Sequence, residues 1–205
     1  MDGVSRNLDA NFEKIQSWEE KWAKGLSFAL IKPRPFNVWE VMVPVLLAFN
    51  YAKQRREREI YTQNFLFTKI MALKAARDSL KKGYSKEEIL KRLDQETQTL
   101  LGTVAEGLYC EEVRQKQLAE MDLLLDHYGR LLAARGNDYS ALVLDVYADR
   151  SAYEAFLQLL KAAEREVNLA ALGSVGKEGG REMVSRMEEA SDRLRMRVVV
   201  NIFGP

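Results

Sequence analysis

The side chains of this sequence with the widest chemical use are few. There is one cysteine, Cys110, and one histidine, His127. Six carboxylates crowd the same region: Glu106, Glu111, Glu112, Glu120, Asp122 and Asp126. A glycine-rich stretch, GSVGKEGG, follows at 173–180. A cysteine and a histidine make a nucleophile only within hydrogen-bond reach of each other. Here they stand 17 residues apart on one predicted helix, about 25 Å along its axis. Cys110 therefore reads as a small buried filler.

Inward carboxylates could hold two metal ions in a helical bundle, but that chemistry needs a Glu-x-x-His pair from each of two helices. The residue three before His127 is Leu124. The six acids against Arg114 and Lys116 leave a local charge of −4, and the expectation is a solvated acidic face. Asp126 precedes His127 directly, and adjacent helix residues do not face each other. His127 then reads as a histidine at the edge of the core. GSVGKEGG lacks the four-residue spacing and the Ser or Thr after Lys that a phosphate loop requires, so it reads as a linker. No zinc-type cluster of Cys and His is present. The sequence points to no cofactor and no metal, no small-molecule ligand can be named from it, and catalysis is not expected.

Composition bounds the rest. The chain has 205 residues, 47% of them hydrophobic and 30% charged, with a net charge of +1. A core is expected, and there is no whole-protein field to attract nucleic acid. One cysteine excludes an internal disulfide framework and suits a reducing compartment. The polar start MDGVSRNLDANFEK carries no apolar signal region, so the expected location is cytoplasmic, with the inner membrane face as an option.

The elements that would carry these residues are helices. Only 4 prolines and 12 glycines occur, and no alternation of strands and helices is visible. The reading is an all-α bundle of about five to seven helices, with one long central helix and an N-terminal amphipathic arm. Residues 1–31 form that arm, 32–172 the bundle core, 173–180 the linker, and 181–205 a last helix with an apolar tail. Leu8, Phe12, Ile15, Trp18, Trp22 and Leu26 repeat at three- and four-residue steps, and Gly25 is the expected stop. From Pro44 to Lys82 no glycine or proline follows, which predicts one helix of roughly 60 Å. Gly83 closes it, and Ser85 with Glu88 forms a capping box for the next helix. A helix from about Val104 to Arg135 and another begun by Asp138 follow, with Ser151 and Glu154 marking a restart or a change of face. The terminal RVVVNIF suits a strand or an apolar tail.

The segment 36–52 is the most apolar. Asn37 with Glu40 reads as a helix cap, and the remaining helix of 15 residues, 38–52, reaches only about 22 Å, short of a bilayer core. Such a face needs a protein to lie against. The expected function is association, as a structural or adaptor module that binds protein, most simply a second copy of itself. The candidate contact residues are Trp39, Val41, Val45, Leu46, Leu47, Phe49, Phe65, Phe67 and Ile70. The alternative partner is an anionic membrane surface, with Trp18 and Trp22 at headgroup depth and Lys32, Arg34, Lys53, Arg55 and Arg56 against lipid charge. A third reading is an enzyme with a bundle site of unfamiliar design.

Overall fold

The computed structural model describes residues 2–31, 44–101, 110–175 and 180–205. They form an all-α bundle. Among the described residues the helices are α1 (Asp2–Leu30), α2 (Pro44–Lys82), α3 (Lys86–Leu101), α4 (Glu111–Ala133), α5 (Tyr139–Val146), α6 (Arg150–Val175) and α7 (Gly180–Phe203). None of them is long and apolar enough to cross a membrane.

Helix α4 is the hub and packs on α1, α2, α3, α5 and α6. Helix α1 lies along α2, α4, α5 and α7, and α6 pairs with α4 and α7. The stripe that builds α1 is regular: Leu8, Phe12, Ile15, Trp22, Leu26 and Leu30 are all buried. Gly25 does not end this helix. A glycine inside a helix costs only about 1 kcal/mol, and burial of Leu26 and Leu30 beyond it outweighs that. The last carbonyls of α1 are taken up by arginines: Arg58 donates to the Ile31 carbonyl at 2.7 Å, and Arg186 to that of Leu30 at 3.2 Å. This answers the unpaired acceptors left at any helix C-terminus.

Helix α2 has 39 residues, about 58 Å at the usual rise. Gly83 then adopts φ of 71°, a left-handed turn that glycine enters without a Cβ penalty. The capping box forms: Ser85 Oγ accepts from the Glu88 N–H at 3.2 Å, and Glu88 Oε2 from the Ser85 N–H at 2.9 Å. Asp138 caps α5 through the Ala141 N–H at 2.9 Å. Gly136 sits where a Cβ would lie 2.7 Å from the Leu142 nitrogen, so only glycine lets this turn fold back on α5. Of the two options marked by Ser151 and Glu154 the restart is observed: α5 ends at Val146, and α6 begins afresh at Arg150, where Asp149 accepts from the Ala152 N–H at 2.8 Å.

RVVVNIF is neither strand nor tail. It continues α7, with Val199 buried and Val198, Ile202 and Phe203 packed on the core at helical spacing, so packing overrides the low helix propensity of three consecutive valines. The expected helix over 104–135 is observed from Glu111, and Glu106 and the 102–109 region lie outside the described residues. So do the proposed cap at Asn37 and Glu40 and the middle of GSVGKEGG, 176–179, whereas Gly173 belongs to α6 and Gly180 to α7.

Candidate functional site

Each of the five long helices places one charged or phenolic side chain at a common junction. Tyr128 on α4 donates its hydroxyl to Glu19 Oε1 on α1 at 2.7 Å. The other Glu19 oxygen lies 3.6 Å from Lys69 Nζ on α2, and Lys69 lies 3.6 Å from Glu164 on α6. Glu164 in turn accepts from Arg195 on α7 at 2.5 Å. Above this chain sits the Trp22 ring, with Lys69 Nζ 4.7 Å from its centre and the Arg195 guanidinium 5.8 Å away. Glu19, Lys69 and Arg195 are all buried.

A third carboxyl joins them. Glu120 on α4 is only 5% exposed, and among the described residues no hydrogen-bond donor or cation within 4 Å partners it. Burial, reinforced by the negative charge of Glu164, pushes its pKa up to about 8. Glu120 is therefore mostly a neutral acid at pH 7, which is how a protein holds a carboxyl that it cannot pair. Glu164 behaves oppositely. Burial alone would raise its pKa, but Arg195 and Lys69 together hold it below the ordinary carboxylate value. For Arg195 burial opposes the charged form, and Glu164 still leaves its pKa raised.

Beside Glu120 the packing leaves a cavity of about 110 Å³. Trp22, Leu26, Phe65 and Met187 make an apolar wall, and Lys69, Gln117, Glu120, Glu164 and Arg195 a polar one. Two buried atoms on residues of this lining, the indole Nε1 of Trp22 and Oε1 of Gln117, have no hydrogen-bond partner among the described residues. Such groups are rare in native structures, and each calls for an explanation. At the rim the charges are matched, Lys161 with Asp192 at 2.6 Å and Arg165 with Glu188 at 3.6 Å. Among the described residues no group of three or more His, Cys, Asp or Glu could hold a metal ion.

The residues singled out from sequence fare differently. The acidic face on α4 holds for Glu111, Glu112 and Asp126, which are exposed, but not for Glu120, which faces inward. His127 is not at the core edge: it is buried, shares a 2.7 Å hydrogen bond between its Nδ1 and the Tyr147 hydroxyl, and stacks on Phe156. Burial drives its pKa down to about 3, so it stays neutral. Cys110 is half-buried at the N-cap position of α4 and makes no side-chain cap.

Trp18 stacks on Tyr139 with ring centres 3.9 Å apart, and Trp22 is 8% exposed. Phe65 packs on the cluster around Trp22, and Ile70 on the main core. Both are used within the chain. Phe67 is half-buried, and Arg55 and Arg56 are exposed. Trp39, Val41, Lys32 and Arg34 lie outside the described residues, as do the side chains of Val45, Leu46, Leu47, Phe49 and Lys53.

The junction itself escaped the sequence reading, although a signal was there. On α1 the large buried apolar residues fall at 8, 12, 15, 22, 26 and 30, and the buried Glu19 occupies the core step between 15 and 22. Glu120, Glu164 and Arg195 likewise fall on the apolar stripes of their own helices. Comparison with protein-family models, with curated proteins and with solved structures finds no match for this chain.

Proposed function

We propose that this chain is a ligand-binding helical bundle, and that its ligand is a small polar molecule taken up at the junction of α1, α2, α4, α6 and α7. The observation that carries this reading is the cavity beside Glu120, lined by that buried carboxyl, which no described residue pairs with, and by Trp22, whose buried N–H also has no partner among the described residues. Ordinary cores leave neither, because an unsatisfied buried polar group costs about 1–3 kcal/mol. Residues with perturbed pKa gathered at one pocket favour a functional site over a purely structural one. The reading is one of binding, and it requires no bond to be made or broken. A cytoplasmic location fits the single cysteine.

The test is thermal unfolding of the full chain against small amines, carboxylates, phosphates and polyols. A ligand at 100 times its Kd adds about 2.7 kcal/mol, which is roughly 5–10 °C in Tm for a chain of this size. Ser191 is buried and lines the cavity, so Ser191→Leu should fill the space and abolish the shift. If no compound class raises Tm, the reading fails.

A second reading, association with another copy of the chain, is favoured by a separate feature. Met196 on α7 is 64% exposed and lines a surface groove against Ala155 and Gln158 of α6. Leu159 on α6 is 60% exposed, and Val200 follows Met196 by one turn. This is the face a second copy would cover. Light scattering decides it: a dimer that becomes a monomer in Met196→Asp supports the reading, and a monomeric wild type at high concentration refutes it.

A further inference from the structure

We infer that the ligand is a small organic cation: a primary amine of about four to six non-hydrogen atoms that also carries a hydroxyl or carbonyl, bound with its ammonium against Glu120. This inference rests on the binding reading above. The first argument is charge. Three carboxyls, Glu19, Glu120 and Glu164, meet two cations: Lys69 lies between Glu19 and Glu164, and Arg195 pairs with Glu164. The rim pairs cancel themselves. Three acids less two bases leave one negative charge when Glu120 ionises, so a single cation balances the site. Among the described residues of the site an anion would find no unclaimed cation.

The second argument is hydrogen-bonding capacity. An ammonium carries three donors; the lining offers the Glu120 carboxyl, which no described residue pairs with, and Gln117, whose buried Oε1 has no partner among the described residues. Trp22 Nε1 is a donor without an acceptor, which a hydroxyl or carbonyl oxygen on the ligand would supply. The third argument is size. A dry cavity of about 150 Å³ holds benzene, so about 110 Å³ takes a slightly smaller molecule. Its carbon atoms would lie against Leu26, Phe65 and Met187.

Binding is then coupled to a proton. In the empty site Glu120 is protonated at neutral pH, with Glu19 on α1, Lys69 on α2, Glu164 on α6 and Arg195 on α7 as the charged groups that set its state. The ammonium takes the place of that proton: the neutral acid and the ammonium give an ion pair and one proton released to solvent. Affinity therefore rises as pH approaches 8 and Glu120 loses its proton without help.

The experiment is isothermal titration calorimetry of the full chain with ethanolamine and with 3-aminopropanol, at pH 6.5 and 8.0, in two buffers of different ionisation enthalpy. Acetate, inorganic phosphate, ethylene glycol and tetramethylammonium are the comparison ligands. The expected result is saturable amine binding, roughly tenfold tighter at pH 8.0, with close to one proton released at pH 6.5. Glu120→Gln should fold normally, weaken the amine at least tenfold and abolish the proton release, and Gln117→Leu should weaken it severalfold without touching the release. Amine binding that Glu120→Gln leaves unchanged, or that releases no proton, overturns the inference. Binding of acetate, phosphate or glycol in place of the amines overturns it too, yet leaves the cavity a binding site. Heat from none of the ligands overturns both readings.

Discussion

Two neighbouring regions of the core share α1, α4 and α6 and solve burial in opposite ways. Around Trp18, Tyr139, Tyr153, Phe156 and His127 the space is filled by rings: Tyr153 and Phe156 stack with centres 6.2 Å apart, and the tyrosine hydroxyls of 139 and 153 face each other at 3.4 Å. The cavity left between this cluster and the charged junction is about 20 Å³, room for one water at most. Beside Glu120 the void is about 110 Å³. The polar atoms differ in the same way. His127 is neutral and hydrogen-bonded, whereas among the described residues Trp22 Nε1 has no partner and none pairs with the Glu120 carboxyl. Chemistry that is fully satisfied serves packing, and chemistry left unsatisfied beside empty space is where a ligand gains most. That difference separates the scaffold from the site.

The largest expected effect comes from breaking the charged region. Arg195→Leu leaves Glu164 buried against Lys69 alone, and removing one partner of a buried pair costs about 3–5 kcal/mol. Urea unfolding at pH 7 measures it. The double variant with Glu164→Leu should recover much of the loss, since buried pairs exchanged for apolar groups are often neutral. No recovery would mean that the junction holds the fold more tightly than the comparison allows.

In the aromatic region and the apolar core around it, Leu131→Ala should cost about 2–5 kcal/mol by opening a cavity at a position with no exposure. This loss should be the same at pH 5 and pH 9. A loss that changes with pH would show that the two regions are coupled.

The pH profiles sharpen the contrast. The folded pKa of Glu120, about 8, stands above its ordinary 4.5. Its stabilising contribution is complete below pH 4.5 and is lost as pH rises through 8. Relative to Glu120→Gln, the wild type should lose on the order of 3 kcal/mol between pH 5 and pH 9. For His127 the sign is reversed. Its folded value of about 3 lies below 6.5, so its contribution is complete above pH 6.5 and is lost as pH falls toward 3. His127→Gln should flatten that acid limb and leave the alkaline one unchanged. Parallel unfolding curves of wild type and Glu120→Gln at every pH would refute the buried neutral acid.

The smallest effect lies away from both regions. Ser85→Ala removes one cap bond at the start of α3 and should cost about 1 kcal/mol, with no change in the pH profile. Thermal melts at two pH values would check this.

What the residues by themselves determined was local. Periodicity placed the helices, Gly83 and the Ser85–Glu88 box fixed the α2–α3 turn, and Asp138 fixed the start of α5. Those signals act over four or five residues, so no knowledge of the rest of the chain is needed to read them. Extents were less legible where packing competes with propensity: α1 runs past Gly25, and RVVVNIF is helical because Val199 is buried and Val198, Ile202 and Phe203 pack on the core. The charged junction was legible only as single odd residues, such as a glutamate on the α1 stripe between Ile15 and Trp22. Only the tertiary structure decided that Glu19, Lys69, Glu120, Glu164 and Arg195 share one place. Their nearest sequence separations are tens of residues, and whether a buried charge finds a partner depends on which helices meet and at what height. The same packing gave Glu120 its raised pKa, since desolvation belongs to the folded environment and not to the residue.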